Sequence, residues 1–367
     1  EQEKRFKFIN HSSGNTFWMR NPLLVKVGKR KEEQQIPPDD GFFPIGVYGG
    51  SADNLAQIRE SGLNTAVVRL DEKNVSACME LDIHCTLSVP KDPEKLLNTL
   101  NQLDTLLQKG RFSFYVNDEP GLHSFPVWKA EDIQRIVKKR YPKRFTNMAI
   151  LRPQVISEYQ QSADYFMLDQ YPIPSMPLVW LSDSMDEAAE KVGSNRLHSV
   201  IQAFGGGRFA YSGWPRLPTY TEMNNLAFLS VIHGSRGIYF YTWPEITATK
   251  EGKGDFEMVI RRLNSLRSWL QQKNDSEPVT VTMMSRYGLD PSGNSAVHCV
   301  SKTLYGTKML MCANSIRTYT EAEIAVPENG PDEWQEYYTG EQFYTVDDTV
   351  RLKFEPLEVK VLMEIVL

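Results

Sequence analysis

A (β/α)8 TIM barrel followed by a small all-β sandwich is the architecture this sequence predicts, and three observations predict it. Between residues 42 and 275, runs rich in β-branched and aromatic residues alternate eight times with segments of helical periodicity. The strand-like runs are apolar on both faces, as strands of a parallel sheet covered by helices must be. From residue 279 onward helical periodicity stops, and only short strand signals separated by Gly, Asn and Asp turns remain. The expected organisation is a lead-in over 1–41 that packs on the barrel, the barrel over 42–277 and the sandwich over 278–367.

The elements follow in order. The lead-in is polar and irregular, with a strand-like patch at 22–27. A buried strand at 43–48 precedes a helix at 51–60, for which Ser51 is a cap and Gly62 a stop. The second strand covers 64–70, its helix 74–81, the third strand 83–89 and its helix 92–108, where leucines recur at helical spacing. The fourth strand starts at Arg111 and leads into Asn117, Asp118, Glu119 and Pro120. Proline cannot continue a ladder, so the three polar residues fall at or just past the strand's carboxyl end. A helix at 128–140, a strand at 145–151, a short helix at 153–161 and a strand at 164–169 follow. The last two units are a helix around 186–191 with a strand at 197–202, and a helix at 219–233 with a strand at 236–243. A closing helix covers 256–272. In the sandwich, strands are expected at 279–284, 295–301, 308–313, 322–326 and 350–366, the last broken at Pro356.

Composition narrows the function classes. Hydrophobic residues make up 41% of the chain, ample for a large core, yet no run reaches the ~18 apolar residues of a membrane helix. The net charge of −5 is spread along the chain without a long basic run, which argues against a nucleic-acid partner. Residues 1–5 show no apolar leader, so the protein is expected either secreted or periplasmic with its signal peptide removed, or cytoplasmic. Cys78 and Cys85 bracket a helix-to-strand turn, and Cys299 and Cys312 fall where two strands could neighbour one another. Disulfides are possible there, although buried free thiols are the commoner state. The six histidines are scattered without ligand spacing, and neither a metal site nor a cofactor is expected.

In a barrel, chemistry is carried by residues at strand carboxyl ends. Those residues are Tyr48, Arg69, Ser88, Asn117 with Asp118 and Glu119, Asp169 with Tyr171, Gln202, and Trp243. The set bears carboxylates and aromatics. Cleaving a glycosidic bond needs a proton for the leaving oxygen and a second group that activates water or steadies the positive centre. Glu119 suits the acid, with Asp118 or Asp169 as partner. Trp243 is the expected platform under a sugar ring, and Tyr48, Arg69, Asn117, Tyr171 and Gln202 are the expected binding residues for a carbohydrate substrate. The same acids could instead cap the next helix, and each polar residue could serve a core hydrogen bond.

The order of elements, with Asn117 to Pro120 after strand four and Tyr241 to Trp243 at the end of strand eight, resembles the (β/α)8 glycoside hydrolases. The resemblance covers about residues 42–275. It implies a glycosidase with Glu119 as acid/base. Where the commonest retaining pattern has a nucleophilic Glu after strand seven, this chain has Gln202, whose amide cannot attack an anomeric carbon. Three readings stay open. One is substrate assistance by the Asp118–Glu119 pair, and another is an inverting mechanism with Asp169 well separated from Glu119. The third is a non-catalytic carbohydrate-binding barrel in which Gln202 marks a lost nucleophile. A phosphate-binding barrel using Gly205 to Gly207 is a further alternative. The aromatic, glycine-rich loop 203–218 and the proline-rich segment 170–177 are expected to wall the site.

Overall fold

The computed structural model of the protein describes residues 8–9, 16–17, 41–286, 288–326 and 330–365. In the lead-in, Phe8–Ile9 and Thr16–Phe17 pair antiparallel; the strand expected at 22–27 lies outside the described residues. Eight parallel strands close a barrel: β1 (Ile45–Val47), β2 (Thr65–Arg69), β3 (His84–Ser88), β4 (Phe112–Asp118), β5 (Thr146–Ile150), β6 (Tyr165–Leu168), β7 (Leu197–Gln202) and β8 (Ile238–Tyr241). The ring closes where β8 pairs with β1, Ile238 opposite Ile45. The predicted fold class is the observed one. All eight carboxyl ends therefore open on one face.

The crossover helices are α1 (Leu55–Glu60), α2 (Glu72–Glu80), α3 (Pro93–Lys109), α4 (Val127–Arg140), α5 (Val179–Val192), α6 (Tyr220–Ile232) and α8 (Lys250–Ser265), with short helices α7 (Trp243–Ile246) and α9 (Arg267–Leu270) flanking the last. In α3 the Asp92 side chain caps the amide of Lys95, Pro93 opens the helix, and Leu96, Leu100, Leu103 and Leu107 form the buried stripe. Each such leucine contributes about 1.5–3 kcal/mol by leaving water. Helix α6 differs: residues from Glu222 to Ile232 are buried on every side, because the barrel covers one face and the C-terminal sheets the other. Its start is a capping box between Thr219 and Glu222.

One local expectation needs correction. The helix expected at 153–161 is a 3-10 turn at Pro153–Val155 followed by further turns, with bonds running from Val155 to Arg152 and from Ile156 to Pro153. Pro153 opens this connection, and its bonds stay of the i→i+3 kind through Glu158, Tyr159 and Ser162. Helix α5 contains the expected 186–191 and extends back to Val179, through an apolar first turn that gives no boundary signal.

The C-terminal region holds β9 (Val281–Met283), β10 (Val297–Leu304), β11 (Thr307–Asn314), β12 (Thr320–Ala325), β13 (Glu333–Glu336), β14 (Gln342–Tyr344), β15 (Thr349–Phe354) and β16 (Val359–Glu364). They form an antiparallel sheet β9-β12-β15 and a five-stranded sheet in the order β10-β11-β16-β13-β14. Leu310, Ile324, Trp334, Leu352 and Phe354 fill the space between them. The strands β13 and β14 were not anticipated. Their charged and amide residues lack β propensity, and only buried Trp334 and Glu336 mark the inward face.

Both cysteine pairs are disulfides, Cys78–Cys85 and Cys299–Cys312, in place of the free thiols that frequency alone favours. The register explains the second, since Cys299 and Cys312 stand directly opposite on β10 and β11. The first ties α2 to β3.

The sheets dock on α6 through a fully buried amide. Asn225 Nδ2 donates to the carbonyls of Asn314 at 2.8 Å and Leu357 at 3.0 Å. Asn225→Ala leaves two buried acceptors without a donor and is expected to cost about 1–3 kcal/mol of stability. Urea denaturation at equilibrium checks this.

Candidate active site

At the barrel mouth, β4 departs from regular pairing. Its register against β5 shifts between Tyr115 and Asn117. In a regular strand, residues three apart point to opposite faces; the shift resets that parity, and the Tyr115 hydroxyl donates to Asp118 Oδ1 at 2.5 Å. The Asp118 amide in turn donates to Asn117 Oδ1 at 2.8 Å. Asn117 is buried, and its Nδ2 has no protein acceptor.

Glu119 follows with φ +43°, a left-handed conformation uncommon for a residue with a side chain and enriched at functional sites. Its amide still extends the ladder, donating to Ala149 O at 3.1 Å, while its carbonyl accepts from the amides of Leu122 and His123. Neither acid caps the next helix. Helix α4 begins eight residues on, with Pro126 before it and no side-chain cap. The capping alternative is thereby removed.

Asp169, one residue past β6, meets Glu119 from the other side of the mouth. It is only 4% exposed, its Oδ1 lacks a partner, and its carboxyl lies close to that of Glu119. Burial pushes its pKa well above the usual carboxylate range, and Glu119 and Asp118 push it the same way. Two neighbouring carboxyls cannot both ionise cheaply, so the buried Asp169 holds its proton more tightly than an ordinary carboxyl. Glu119 acts on the Asp169 carboxyl at close range, whereas an inverting arrangement places a water between its two carboxyls. The side chain of Glu119 keeps 19% exposure, with His123 Nε2 3.8 Å from its Oε2. Asp118 is open to solvent.

Tyrosines surround the three acids. Tyr48 lies edge-on to Tyr115 at 5.7 Å and to Tyr241 at 5.5 Å, and Tyr171 stacks on Tyr241 at 5.9 Å. Burial raises the pKa of each, and neighbouring carboxylates add to the effect. All four stay neutral hydroxyl donors. Across the rim Arg208 and Glu245 form an ion pair at 3.1 Å that joins the loops after β7 and β8.

The structure brings together Asp118, Glu119, Asp169, Tyr48, Asn117 and Tyr171 from the sequence-derived set, and moves three others away. Trp243 is 3% exposed and packs edge-on to Phe256 at 6.3 Å, so it is a core residue and not a platform. Strand β8 ends at Tyr241, and Pro244 turns Trp243 into α7; Tyr241 stands where the aromatic was expected. Gln202 is fully buried, its Nε2 donating to the carbonyls of Ile173 and Phe204 and its Oε1 accepting from the Ile173 amide. That amide holds the loop after β6 and leaves nothing for a substrate hydroxyl. The Arg69 side chain is 82% exposed, 3.9 Å from Asp71. Tyr115 and Tyr241 were the residues missed; alternation from Tyr239 would have pointed Tyr241 inward, while the register shift in β4 breaks the count from Glu119 to Tyr115.

The phosphate-loop alternative loses one of its donors. The Gly206 amide is bonded to Trp214 O at 2.8 Å, and a Cβ on Gly205 would lie 1.8 Å from Arg216 O. These glycines permit a close crossing of the loop over itself. Among the described residues no group of three or more His, Cys, Asp or Glu is arranged to hold a metal ion, and no helix is long and apolar enough to cross a membrane.

No protein-family model and no curated protein sequence matches the chain. Solved structures match it in fold. A glycoside hydrolase superposes with a TM-score of 0.59 at 11% identity, over 88% of this chain and 92% of its own. An α-amylase from Anoxybacillus gives 0.56 at 10% identity, over 85% and 89%. A GH30 endoxylanase from Clostridium papyrosolvens gives 0.52 at 8% identity, over 87% and 95%. The chain shares the barrel fold of these enzymes.

The buried acid makes a testable contribution to stability. A carboxyl whose folded pKa is raised disfavours the folded state once pH exceeds its unfolded value near ~3.9, and the penalty grows until the folded pKa is reached. Asp169→Asn removes that penalty. The variant is expected to be more stable than the parent at pH 7 by about 1 kcal/mol or more, with the gain vanishing near pH 3.5. Thermal unfolding of both proteins across that range measures it.

Proposed function

We propose that the protein is a glycoside hydrolase in which Glu119 is the general acid/base and Asp118 its working partner. The observation that carries this reading is the graded exposure of three carboxyls at the barrel mouth. Asp118 is open, Glu119 partly open, and Asp169 buried and close to Glu119. A proton held on Asp169 beside it is what an acid/base residue can use, since Glu119 can pass a proton to the leaving oxygen and later take one from the attacking water.

Asp169, held protonated and out of solvent, is a poor nucleophile. A close pair also leaves no room for the water that an inverting geometry places between carboxylates ~6.5–9.5 Å apart. Asp118 then acts with the substrate's own nucleophile. Its carboxylate accepts the N–H of a 2-acylamido group, and the acyl oxygen attacks the anomeric carbon as Glu119 protonates the departing oxygen. Water, deprotonated by Glu119, opens the cyclic intermediate. Tyr115 fixes Asp118 for that task through its 2.5 Å bond. Gln202, the loop anchor, needs no lost nucleophile to account for it, so nothing favours the non-catalytic alternative. The fold neighbours include proteins described as amylases, an endoxylanase and a putative α-galactosidase, which supports carbohydrate as the substrate class. Two disulfides suit an oxidising compartment and hence the secreted alternative.

On aryl 2-acetamido-2-deoxyhexosides, Glu119→Gln and Asp118→Asn are each expected to lower kcat by about 10²–10⁴ with little change in KM. Equal turnover by parent and Glu119→Gln defeats the acid/base assignment. Equal turnover of the 2-hydroxy analogues defeats substrate assistance and leaves the glycosidase reading standing.

A further inference from the structure

Residues 275–280 lead out of the barrel and bridge the two C-terminal sheets. The Asp275 amide donates to Ser301 O on β10 at 2.9 Å, and Thr280 O accepts from the Ala325 amide on β12 at 2.9 Å. Between these two anchor points the segment bounds a cleft of about 350 Å³, within the size range of small-ligand sites. Its lining combines apolar Val279 and Val326 with polar Asp275, Glu277, Thr303 and Lys308. Asp275 Oδ2 accepts from Ser301 Oγ at 2.5 Å and from Thr303 Oγ1 at 3.1 Å. Lys308 stands opposite Thr303 in the β10–β11 ladder. The side chains of Glu277 and Lys308 make no hydrogen bond or ion pair among the described residues.

Two residues past Thr303 the hairpin turns. Leu304 and Thr307 are its last pair, so Tyr305 and Gly306 form a two-residue loop, with φ +52° and +87°. Positive φ at both positions makes this a type I′ turn, whose first position asparagine, aspartate or glycine fills with least strain. A tyrosine there costs backbone energy, and at 98% exposure its ring gives nothing to the core in return. A strained residue that does not stabilise the fold points to function. A sugar chain matches what surrounds it. A pyranose presents C–H groups on its faces and hydroxyls around its edge, so a face packs on an aromatic ring while hydroxyls pair with carboxylates, other hydroxyls and an ammonium. Two carboxylates against one ammonium leave the cleft negative, which disfavours an anionic chain.

We propose that Tyr305 and the cleft between residues 275–280 and the β10–β11 hairpin form a second carbohydrate site, which holds an uncharged polysaccharide on the C-terminal sheets. Tyr305 stacks on one ring of the chain, and Asp275, Glu277, Thr303 and Lys308 take the hydroxyls of its neighbour. The site is separate from the barrel mouth and does not rest on the glycosidase reading.

Amide hydrogen exchange of the full chain, with and without soluble starch, xylan, galactomannan or glycol chitin, tests it. In the parent at least one of these polymers is expected to slow exchange across 303–308 roughly three- to tenfold. Tyr305→Asn suits the turn's backbone and removes the ring. In that variant the slowing is expected to disappear at the same polymer concentration, while thermal stability is not reduced and any slowing at 115–123 in the mouth is unchanged. Tyr305→Phe keeps the ring and is expected to match the parent. Equal slowing in Tyr305→Asn, slowing confined to the mouth, or no slowing with any of the four polymers overturns the proposal. Loss of the effect in Tyr305→Phe overturns the stacking role of the ring.

Discussion

Closure of the ladder between β8 and β1 is the constraint on which the molecule depends. With Ile238 paired to Ile45 the sheet has no edge, and its interior becomes an enclosed space that side chains must fill. The filling is graded along the axis. Thr65, Thr86 and Ser113 lie low in the barrel, with the Tyr239 hydroxyl 3.0 Å from Thr86 Oγ1. Above them Val67, Tyr115, Ala149, Met167, Val200 and Tyr239 make an apolar layer, against which Tyr48, Tyr171 and Tyr241 pack. The acids rest on that aromatic floor. A low-dielectric base is what makes burying Asp169 costly and what couples its proton to Glu119.

The mouth accordingly works against the rest of the chain. A regular strand with glycine or asparagine at the left-handed position would fold more easily than a β4 that slips register and then places Glu119 at positive φ. Both irregularities act on the same tetrapeptide. The first turns Asp118 toward Tyr115, and the second sends the Glu119 side chain toward Asp169 while its amide keeps the ladder with Ala149. Local strain of this kind persists only where neighbours hold it, and here the holders are identifiable. The loop after β6 is pinned by Gln202, and the loop after β7 is packed through Phe204 and Trp214 against Tyr171.

How far this was legible in the sequence depends on which interaction decides each feature. Period-2 and helical patterns are local, and they gave the eight strands and most of the crossovers correctly. The position of Asp118 and Glu119 was legible for the same reason, since Pro120 marks where the ladder must stop. Trp243 was misjudged because the strand stops at Tyr241 and a helix starts at Trp243, so strand alternation no longer sets that side chain's direction. Gln202 was misjudged because its partners, Ile173 and Phe204, lie on loops with no periodic signal. The Glu119–Asp169 contact joins residues 50 positions apart, and no local pattern encodes it. The disulfides fall between these cases: proximity of the cysteines was readable, but pairing depended on a register that only the folded sheets define.

The C-terminal sheets bear on the site through one helix. Helix α6 is buried all round, with apolar side chains facing both the barrel and the sheets, so the sheets are a condition of the barrel's stability. Their docking is directional because it uses polar groups at both ends of α6. At its start Glu222 receives Arg216 from the loop after β7 and Arg317 from the C-terminal region, and these contacts pull its pKa down to about 2 against the effect of burial. Arg216 in turn lies two residues from Trp214, whose indole donates to Tyr171 O. A displacement of the sheets would thus be felt first at Arg317, then in the loop after β7, and then at the tyrosine wall beside Asp169. That sequence of contacts makes the all-β module a support for the mouth as well as a cover for α6.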